Sequence, residues 1–245
     1  MTLTIESRVL EVEVAHNVRH LGGYTTASGR STSSHIIRSA GLHRLTSNGM
    51  AVLAERGVTT VVDLRSKAER ERDQTPPLGH VGIASIGAPV FDVDASPEGL
   101  GKDFAGYAPV YRSMLDTGRD AYRTLFQTIA VAPGGVLFHC SAGKDRTGIA
   151  SALLLGLAGV PEDIIVQDYS LSEALLAPLL PDWLPRIRER GLTEAQARGM
   201  LASRPDAMEH TLLHIADRWG GPEGYMRNIG MPQSLIDELR ARLIE

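Results

Sequence analysis

The stretch VLFHCSAGKDRTG, residues 136–148, decides how this chain of 245 residues can fold. It opens with the short apolar run Val136–Phe138, which predicts a buried strand. A tight loop follows, and the residues from Arg146 to Leu157 predict a long apolar helix that Gly159 ends. A buried strand that leads through a tight loop into a helix is typical of an α/β sheet covered by helices.

The loop itself has the chemistry of an anion site. Five residues separate Cys140 from Arg146, a length that lets successive backbone N–H groups point inward as a nest. The N-terminus of the following helix adds partial positive charge, and Gly143 permits a backbone conformation that other residues avoid. Arg146 offers a planar fork that can grip two phosphate oxygens. We expect phosphate to be bound by Ser141, Ala142, Gly143, Lys144, Asp145, Arg146 and Thr147.

The same positive field favours the thiolate form of Cys140, which is the nucleophilic form of a cysteine. Helix N-termini and adjacent cations can lower a cysteine pKa to about 3.5–7.5. Thr147 can donate its hydroxyl to the sulfur and help it leave in a second step. The predicted reaction has two displacements at phosphorus, with a covalent phosphocysteine between them.

Other interpretations of this segment explain less of it. Free cysteines are most often buried and structural, but such a cysteine needs none of the loop chemistry. A nucleotide-binding loop requires glycine where Phe138 stands and serine or threonine where Asp145 stands. A nucleophile elbow around Ser141 requires glycine at His139.

Composition excludes several classes of protein and of site. The net charge of −4 gives no global basic field, so we expect no nucleic-acid partner. The single cysteine excludes an intramolecular disulfide and a multi-cysteine zinc site. His210 and His214 are four residues apart, but Thr211 replaces the glutamate of the zinc-protease motif. We therefore expect no metal and no cofactor.

The sequence also bears on location. No apolar run reaches the roughly 18 residues of a membrane span, so we expect no stable membrane insertion. The first 16 residues alternate apolar residues with glutamate and lack the pattern of a signal peptide. We expect a cytoplasmic protein, with signal-less export left open.

Further segments predict one α/β domain over residues 1–245. Val58–Leu64 and His80–Val90 are predicted strands, and Leu10–Val14 has the alternation of a half-buried strand. After Glu162 the chain predicts only helices, and the helix-rich region at about 170–203 is interpreted as a lid. The run Arg65–Asp73, which mixes both charge signs, is interpreted as a solvated helical turn without a specific role.

Six segments give the chain a resemblance to a known family. They are NVRHLGGY (Asn17–Tyr24), IIRSAGLHRLT (Ile36–Thr46), TTVVDLRSKAER (Thr59–Arg70), HCSAGKDRTG (His139–Gly148), DYSLS (Asp168–Ser172) and YMRNIGM (Tyr225–Met231). Through them nearly the whole chain resembles the atypical bacterial tyrosine phosphatases related to the mycobacterial secreted tyrosine phosphatase B. His20 stands where that family usually has aspartate.

The resemblance implies a phosphatase fold, a central sheet flanked by helices with a helical lid. It implies Cys140 as nucleophile, Arg146 as phosphate ligand and Asp145 as an essential acid. It also links Lys144 to phosphoinositide as well as phosphotyrosine substrates.

The proton donor for the leaving group stays open between two carboxyl groups. Asp145 lies inside the loop, and Asp63 ends a strand that should deliver it to the same crevice. Asp63 can instead serve as a cap or as an arginine partner. We expect Asp168 to hold an arginine or the backbone.

Three functions compete at this point. The leading one is hydrolysis of phosphotyrosine in phosphorylated proteins, with some activity on phosphoserine, phosphothreonine or phosphoinositides. The alternatives are a phosphate-binding module without turnover and a rhodanese-like sulfurtransferase, which also uses a loop cysteine. Lys144, Asp145 and Arg146 directly before a helix favour phosphate.

Overall fold

The structure is a computed structural model that describes residues 6–90, 107–189 and 191–245. Those residues form one sheet of five strands in the order β1-β2-β5-β3-β4. The strands are β1 (Arg19–His20), β2 (Ile36–Ser39), β3 (Val58–Asp63), β4 (Ala84–Gly87) and β5 (Gly135–His139). β1 runs antiparallel to β2, and the other three neighbouring pairs are parallel.

Helices surround this sheet and fill the second half of the chain. They are α1 (Ser47–Glu55), α2 (Lys67–Arg72), α3 (Tyr107–Thr117), α4 (Arg119–Val131), α5 (Asp145–Leu157), α6 (Glu162–Leu176), α7 (Leu180–Glu189), α8 (Glu194–Leu201), α9 (Pro205–Trp219), α10 (Pro222–Asn228) and α11 (Gln233–Arg242). The predicted class, an α/β sheet flanked by helices, is confirmed.

The central strand β5 is buried on both faces. Val136 and Phe138 contribute to the larger core, which contains side chains of α3–α6 and α9–α11. Leu137 faces the opposite way into a smaller core together with Met50 and Leu53 of α1. Apolar side chains on both faces, and a parallel strand on each side, hold β5 rigidly. The loop that follows this strand is therefore anchored at its start.

The sequence predicts a helix that Thr46 or Ser47 caps and that runs to Arg56 before Gly57, and the structure forms it as α1. The Thr46 hydroxyl accepts a hydrogen bond from the backbone N–H of Gly49 at 3.1 Å and caps the first turn. Gly57 follows the helix with a φ of 74°, a left-handed conformation that glycine adopts without strain. Both ends lie where capping chemistry predicts them.

Two predicted strands differ in the structure. Leu10–Val14 is not a strand, because the Ala15 N–H bonds the Val12 carbonyl and turns the chain back. Of His80–Val90, only Ala84–Gly87 is a strand. The sequence also predicts a helix around Phe104–Asp116; it is described as α3 from Tyr107 onward, and Phe104 lies outside the described ranges.

The sequence predicts two separate helices, Glu162–Tyr169 and Ser172–Leu179, but α6 runs unbroken from Glu162 to Leu176. Ser170 donates its hydroxyl to the Val166 carbonyl at 2.9 Å. Ser172 is buried and accepts a hydrogen bond from Arg19. Both serines therefore satisfy their polar atoms within the helix or against a buried neighbour.

Helices α7 and α8 lie over the sheet end that carries the loop. Their side chains form a separate apolar cluster that includes Leu176 and Ala40, and Ala142 of the loop packs against it. Among the described residues, no helix has the length and apolar character needed to cross a membrane.

Candidate active site

The loop from Cys140 to Lys144 connects the end of β5 to the first turn of α5. Cys140 is buried, with only 2% of its surface exposed. Gly143 has a φ of 67°, and a Cβ atom there would lie 2.2 Å from the Ser39 carbonyl oxygen. No other residue fits this position without moving β2, so the sequence requirement for glycine is explained.

Four consecutive carbonyl groups of the loop accept hydrogen bonds from outside it. His139 Nδ1 lies 3.2 Å from the Cys140 oxygen, and the N–H of Gly41 lies 2.9 Å from the Ser141 oxygen. The amide of Asn17 donates to the oxygens of Ala142 and Gly143, each at 3.1 Å. Because a carbonyl only accepts, Nδ1 of His139 carries a proton.

These contacts set the direction of the loop N–H groups. In a planar trans peptide the carbonyl and the following N–H point in opposite directions, and no described peptide bond is cis. With the carbonyls of residues 140–143 turned outward, the N–H groups of residues 141–144 point into the loop. Within the described part of the chain those four N–H groups donate no hydrogen bond. Such a ring of free donors is an anion nest.

The guanidinium of Arg146 lies against a carboxylate. Its Nη1 and Nη2 atoms donate to the two oxygens of Glu69 at 2.6 and 2.8 Å. The hydroxyl of Ser141 donates to the same carboxylate at 2.5 Å. Burial opposes ionisation of Glu69, but these hydrogen bonds from Arg146 and Ser141 hold its pKa well below the ordinary value. Glu69 is therefore charged and fixes the Arg146 side chain.

Glu69 overturns the interpretation of Arg65–Asp73 as a solvated turn without a role. The segment does form helix α2, and Ser66 and Glu69 form its capping box, with the Ser66 N–H donating to Glu69 at 2.8 Å. The sequence spacing Ser-x-x-Glu predicts that cap. It does not predict that the same carboxylate reaches Arg146, which is 77 positions away.

Asp63 ends β3, as expected, but its carboxylate is bound by an arginine. Arg65 donates from Nη2 to Asp63 at 2.7 Å, and its backbone N–H donates to the same carboxylate at 2.9 Å. Burial raises the pKa of Asp63, but the neighbouring His139 ring and Arg65 outweigh it, so the pKa lies below its usual value. This geometry is the arginine-partner alternative weighed for Asp63.

Asp145 begins α5 and is partly exposed, with 26% of its side chain accessible. The Tyr111 hydroxyl donates to Asp145 Oδ1 at 2.5 Å and lies 2.6 Å from the hydroxyl of Tyr169. Burial raises the pKa of Tyr111 well above its ordinary value, and the charge of Asp145 raises it further. The tyrosine is therefore a permanent donor that orients the Asp145 carboxyl group.

Lys144 does not face the opening of the loop. Its ammonium is buried and donates to the carbonyls of Met200 and Ala202, at 2.6 and 3.0 Å, where α8 ends. It also lies 4.3 Å from the centre of the Tyr107 ring. In this arrangement the lysine connects the loop to α8. The link of Lys144 to phosphoinositide substrates stays a prediction.

The structure places two other predicted residues as follows. Thr147 is fully buried, and among the described residues its hydroxyl has no hydrogen-bond partner. Asp168 binds Arg19 at 2.9 Å and Arg38 at 2.5 Å, which confirms the expectation that it holds an arginine.

No metal centre is formed by the residues described. They contain no group of three or more His, Cys, Asp or Glu side chains placed to hold an ion. His214 of the weighed histidine pair instead packs edge-on against Trp219, at 5.4 Å between ring centres.

Residues 10–245 match the model of a protein family described as the tyrosine phosphatase family. A tyrosine-protein phosphatase from Nostoc commune is 31% identical over 229 residues, 84% of this chain and 73% of that protein. The triple specificity protein phosphatase PtpB of Mycobacterium tuberculosis is 28% identical, over 96% of this chain and 99% of its own length. The core catalytic domain of the PP-IP phosphatase SIW14 from S. cerevisiae aligns with a TM-score of 0.40 and 16% identity, over 67% of this chain and 78% of that one.

Proposed function

Because this chain belongs to the tyrosine phosphatase family and is a phosphatase, we propose that it hydrolyses phosphotyrosine through a phosphocysteine on Cys140. We include phosphoserine, phosphothreonine and phosphoinositides as secondary substrates. The range of the Mycobacterium tuberculosis relative, named a triple specificity phosphatase, supports this breadth.

One observation carries the proposal: the carbonyls of residues 140–143 point outward, and the N–H groups of residues 141–144, next to Cys140, donate to no group in the described ranges. A nest of donors at a helix N-terminus fits the three outer oxygens of a phosphate group. It also gives the thiolate a positive surrounding. The proposal thus assigns substrate binding and nucleophile activation to the same atoms.

Arg146 completes the phosphate site in this scheme. Glu69 contacts only the ends of the fork, Nη1 and Nη2. Nη2 also lies 3.5 Å from the Ser141 hydroxyl oxygen, a long contact that phosphate would displace. The Nε–H and the second N–H of Nη2 would then bind two phosphate oxygens in a side-on bidentate contact. The guanidinium would bind phosphate most strongly as its charge spreads over the oxygens in the transition state.

In the first step the Cys140 thiolate attacks phosphorus and the bond to the leaving oxygen breaks. A phenolate needs a proton, which a carboxylic acid within reach supplies. We assign this proton to Asp145, because Arg65 already occupies Asp63 and lowers its pKa. Tyr111 would hold the Asp145 carboxyl in place.

In the second step water attacks the phosphocysteine, Asp145 takes a proton from that water, and the S–P bond breaks to release phosphate and thiolate. We assign to Thr147 the donation of its buried hydroxyl to the departing sulfur. A hydroxyl without another partner among the described residues is available for that contact.

Helices α7 and α8 serve as a lid of the single domain, since their cluster touches Ala142 of the loop.

A turnover panel tests the proposal. Phosphotyrosine peptide, phosphoserine peptide, a phosphoinositide and thiosulfate are offered to the wild-type chain and to Cys140→Ser. We expect hydrolysis of phosphotyrosine by the wild type alone, with vanadate affinity kept within about tenfold in Cys140→Ser because the nest remains. Absence of phosphate release from every ester would favour the binding module, and thiosulfate turnover would favour the sulfurtransferase.

A further inference from the structure

Asn17 lies behind the loop, far from it in sequence. Its side-chain amide donates one hydrogen bond to the Ala142 carbonyl and one to the Gly143 carbonyl, both at 3.1 Å. The residue is 3% exposed and has a φ of 56°, in the left-handed region. Non-glycine residues adopt that conformation at a cost, and such strain persists where the surrounding structure fixes it.

We propose that Asn17 is a positioning residue that aims the N–H groups of Gly143 and Lys144 at the substrate phosphate. The inference rests on the proposed function. Each of the two carbonyls belongs to the peptide whose N–H lies on the next residue, so holding the oxygen outward holds that N–H inward. Asn17 thus controls two of the four donors of the nest from outside it.

The orientation of the Asn17 amide is itself fixed. Arg19 donates from Nη1 to the Oδ1 atom of Asn17, so the Nδ2 atom must face the loop. Arg19 in turn donates from Nε to Asp168 at 2.9 Å and from Nη2 to the hydroxyl of Ser172 at 3.1 Å. Every group in this chain of contacts is buried. An amide locked in this way cannot turn its oxygen toward the carbonyls.

Arg38 supplies a second donor to the same place. Its Nη2 atom donates to the Gly143 carbonyl at 2.8 Å, and its Nη1 atom donates to Asp168 at 2.5 Å. Burial, with the nearby charge of Arg19, lowers the pKa of Arg38 to about 10, so it stays charged at neutral pH. Two guanidiniums and one carboxylate leave one positive charge behind the loop. That charge adds to the field that favours an anion in the nest.

The structure separates this role from simple support of the fold. The two amide donors of Asn17 contact only loop carbonyls, whereas Arg19 and Asp168 connect secondary-structure elements. Removing the Asn17 amide should therefore free the peptide between residues 142 and 143 to rotate and leave the Gly143 carbonyl held by Arg38, while the sheet stays intact. We expect the loss to be larger in anion affinity and in the reactivity of Cys140 than in the melting temperature.

The test compares Asn17→Gly and Asn17→Asp with Ser172→Ala. Glycine adopts the left-handed backbone conformation without strain, so Asn17→Gly keeps the fold but has no side-chain amide. Asn17→Asp keeps an oxygen that accepts from Arg19, but it replaces the Nδ2 donor with a carboxylate oxygen. That oxygen cannot donate to the two loop carbonyls. Ser172→Ala removes one contact of Arg19 and keeps both donors, so it is the matched control.

Three quantities are measured on each variant: the inhibition constant of orthovanadate, the pH midpoint of Cys140 alkylation by iodoacetamide, and the melting temperature. We expect both Asn17 variants to bind vanadate at least about tenfold more weakly, because they lose the two hydrogen bonds from Asn17 to the loop carbonyls. Their alkylation midpoint should move to higher pH. Ser172→Ala should stay within roughly twofold of the wild type in vanadate affinity, because it loses no loop contact.

Folded Asn17 variants that bind vanadate as tightly as the wild type, with an unchanged alkylation midpoint, would overturn the inference. So would a loss in Ser172→Ala equal to that in Asn17→Gly, because the effect would then be general loosening. A wild-type chain that neither hydrolyses p-nitrophenyl phosphate nor binds vanadate would instead refute the proposed function, a separate outcome.

Discussion

The carboxylate of Glu69 bridges both terminal nitrogens of Arg146, at 2.6 and 2.8 Å, while accepting the Ser141 hydroxyl at 2.5 Å. This contact joins helix α2 to the first turn of α5 across the loop. It orients the arginine before any phosphate arrives. An arginine side chain that is already fixed loses less conformational entropy when substrate binds.

The first prediction concerns this pair. Glu69→Gln should weaken vanadate binding by about tenfold and raise KM more than it lowers kcat, because an unfixed arginine loses entropy on binding. Glutamine also serves at the third position of a capping box, so α2 should remain capped. Vanadate inhibition and steady-state kinetics measure the effect. Tighter vanadate binding in Glu69→Gln would mean that the carboxylate competes with phosphate for Arg146.

The second prediction identifies the proton donor by varying the leaving group. Loss of a positioned acid costs about 10²–10⁴ in rate where the departing oxygen needs the proton. Tyrosine, with a phenol pKa near 10, needs it, and an activated aryl ester such as p-nitrophenyl phosphate does not. Asp145→Asn should therefore impair phosphotyrosine hydrolysis far more than hydrolysis of the activated ester.

Asp63→Asn is the matched comparison for that experiment. Because Arg65 binds Asp63, replacing Asp63 should slow the hydrolysis of both substrates to a similar degree. If Asp63→Asn shows the selective loss and Asp145→Asn slows both esters alike, Asp63 is the acid and the assignment is wrong.

The third prediction concerns Lys144, whose ammonium is buried against α8. The ammonium binds the last carbonyls of α8, so Lys144→Met should loosen that helix. Amide hydrogens of residues 194–201 should exchange faster, with the exchange of β5 unchanged, because local opening leaves the sheet intact. Hydrogen-exchange mass spectrometry measures this. Unchanged exchange in α8 would contradict this prediction, and a selective loss of phosphoinositide turnover would support the role that the family resemblance implies for Lys144.

The fourth prediction is a stability change at Asp168. Asp168→Asn removes the carboxylate between two buried guanidiniums and should cost roughly 3–5 kcal/mol in the free energy of unfolding. Urea denaturation at pH 7 measures this loss. A loss below about 1 kcal/mol would show that Asp168 is not needed to balance Arg19 and Arg38.

The same carboxylate predicts a pH dependence. Burial opposes ionisation of Asp168, but Arg19 and Arg38 hold its pKa far below the usual value. Its stabilisation is complete above the unfolded pKa of about 4 and is lost as pH falls toward the folded value. Between pH 5 and pH 3 the wild type should therefore lose more stability than Asp168→Asn. Parallel curves for the two proteins would contradict this.

The sequence predicted the parts of the fold that depend on local chemistry. The strand of Val136–Phe138, the loop glycine and the helix from Arg146 follow from apolar runs, from φ preference and from capping. The alternation of Leu10–Val14 was misleading, because burial of Leu10 and Val12 is achieved by a turn without a strand. Periodicity reports which side chains are buried and leaves open what buries them.

The site was predictable only along the chain, at Cys140 and Arg146. Glu69 holds Arg146 from 77 positions away, and Asn17 holds the Ala142 carbonyl of the loop from 125 positions away. Both belong to segments that resemble the family, but no local pattern connects an asparagine to a distant carbonyl. Such contacts depend on which strands become neighbours, here β1, β2, β5 and β3.

The most direct test of the central claim is to trap the phosphocysteine. The wild-type chain is mixed with an excess of an activated aryl phosphate, quenched in alkaline denaturant within milliseconds, digested and analysed by mass spectrometry. We predict one added phosphoryl group on the peptide that contains Cys140, formed together with a burst of the released phenol, and none in Cys140→Ser. Steady turnover with no phosphoryl group on Cys140, or with the group on another residue, would contradict the account.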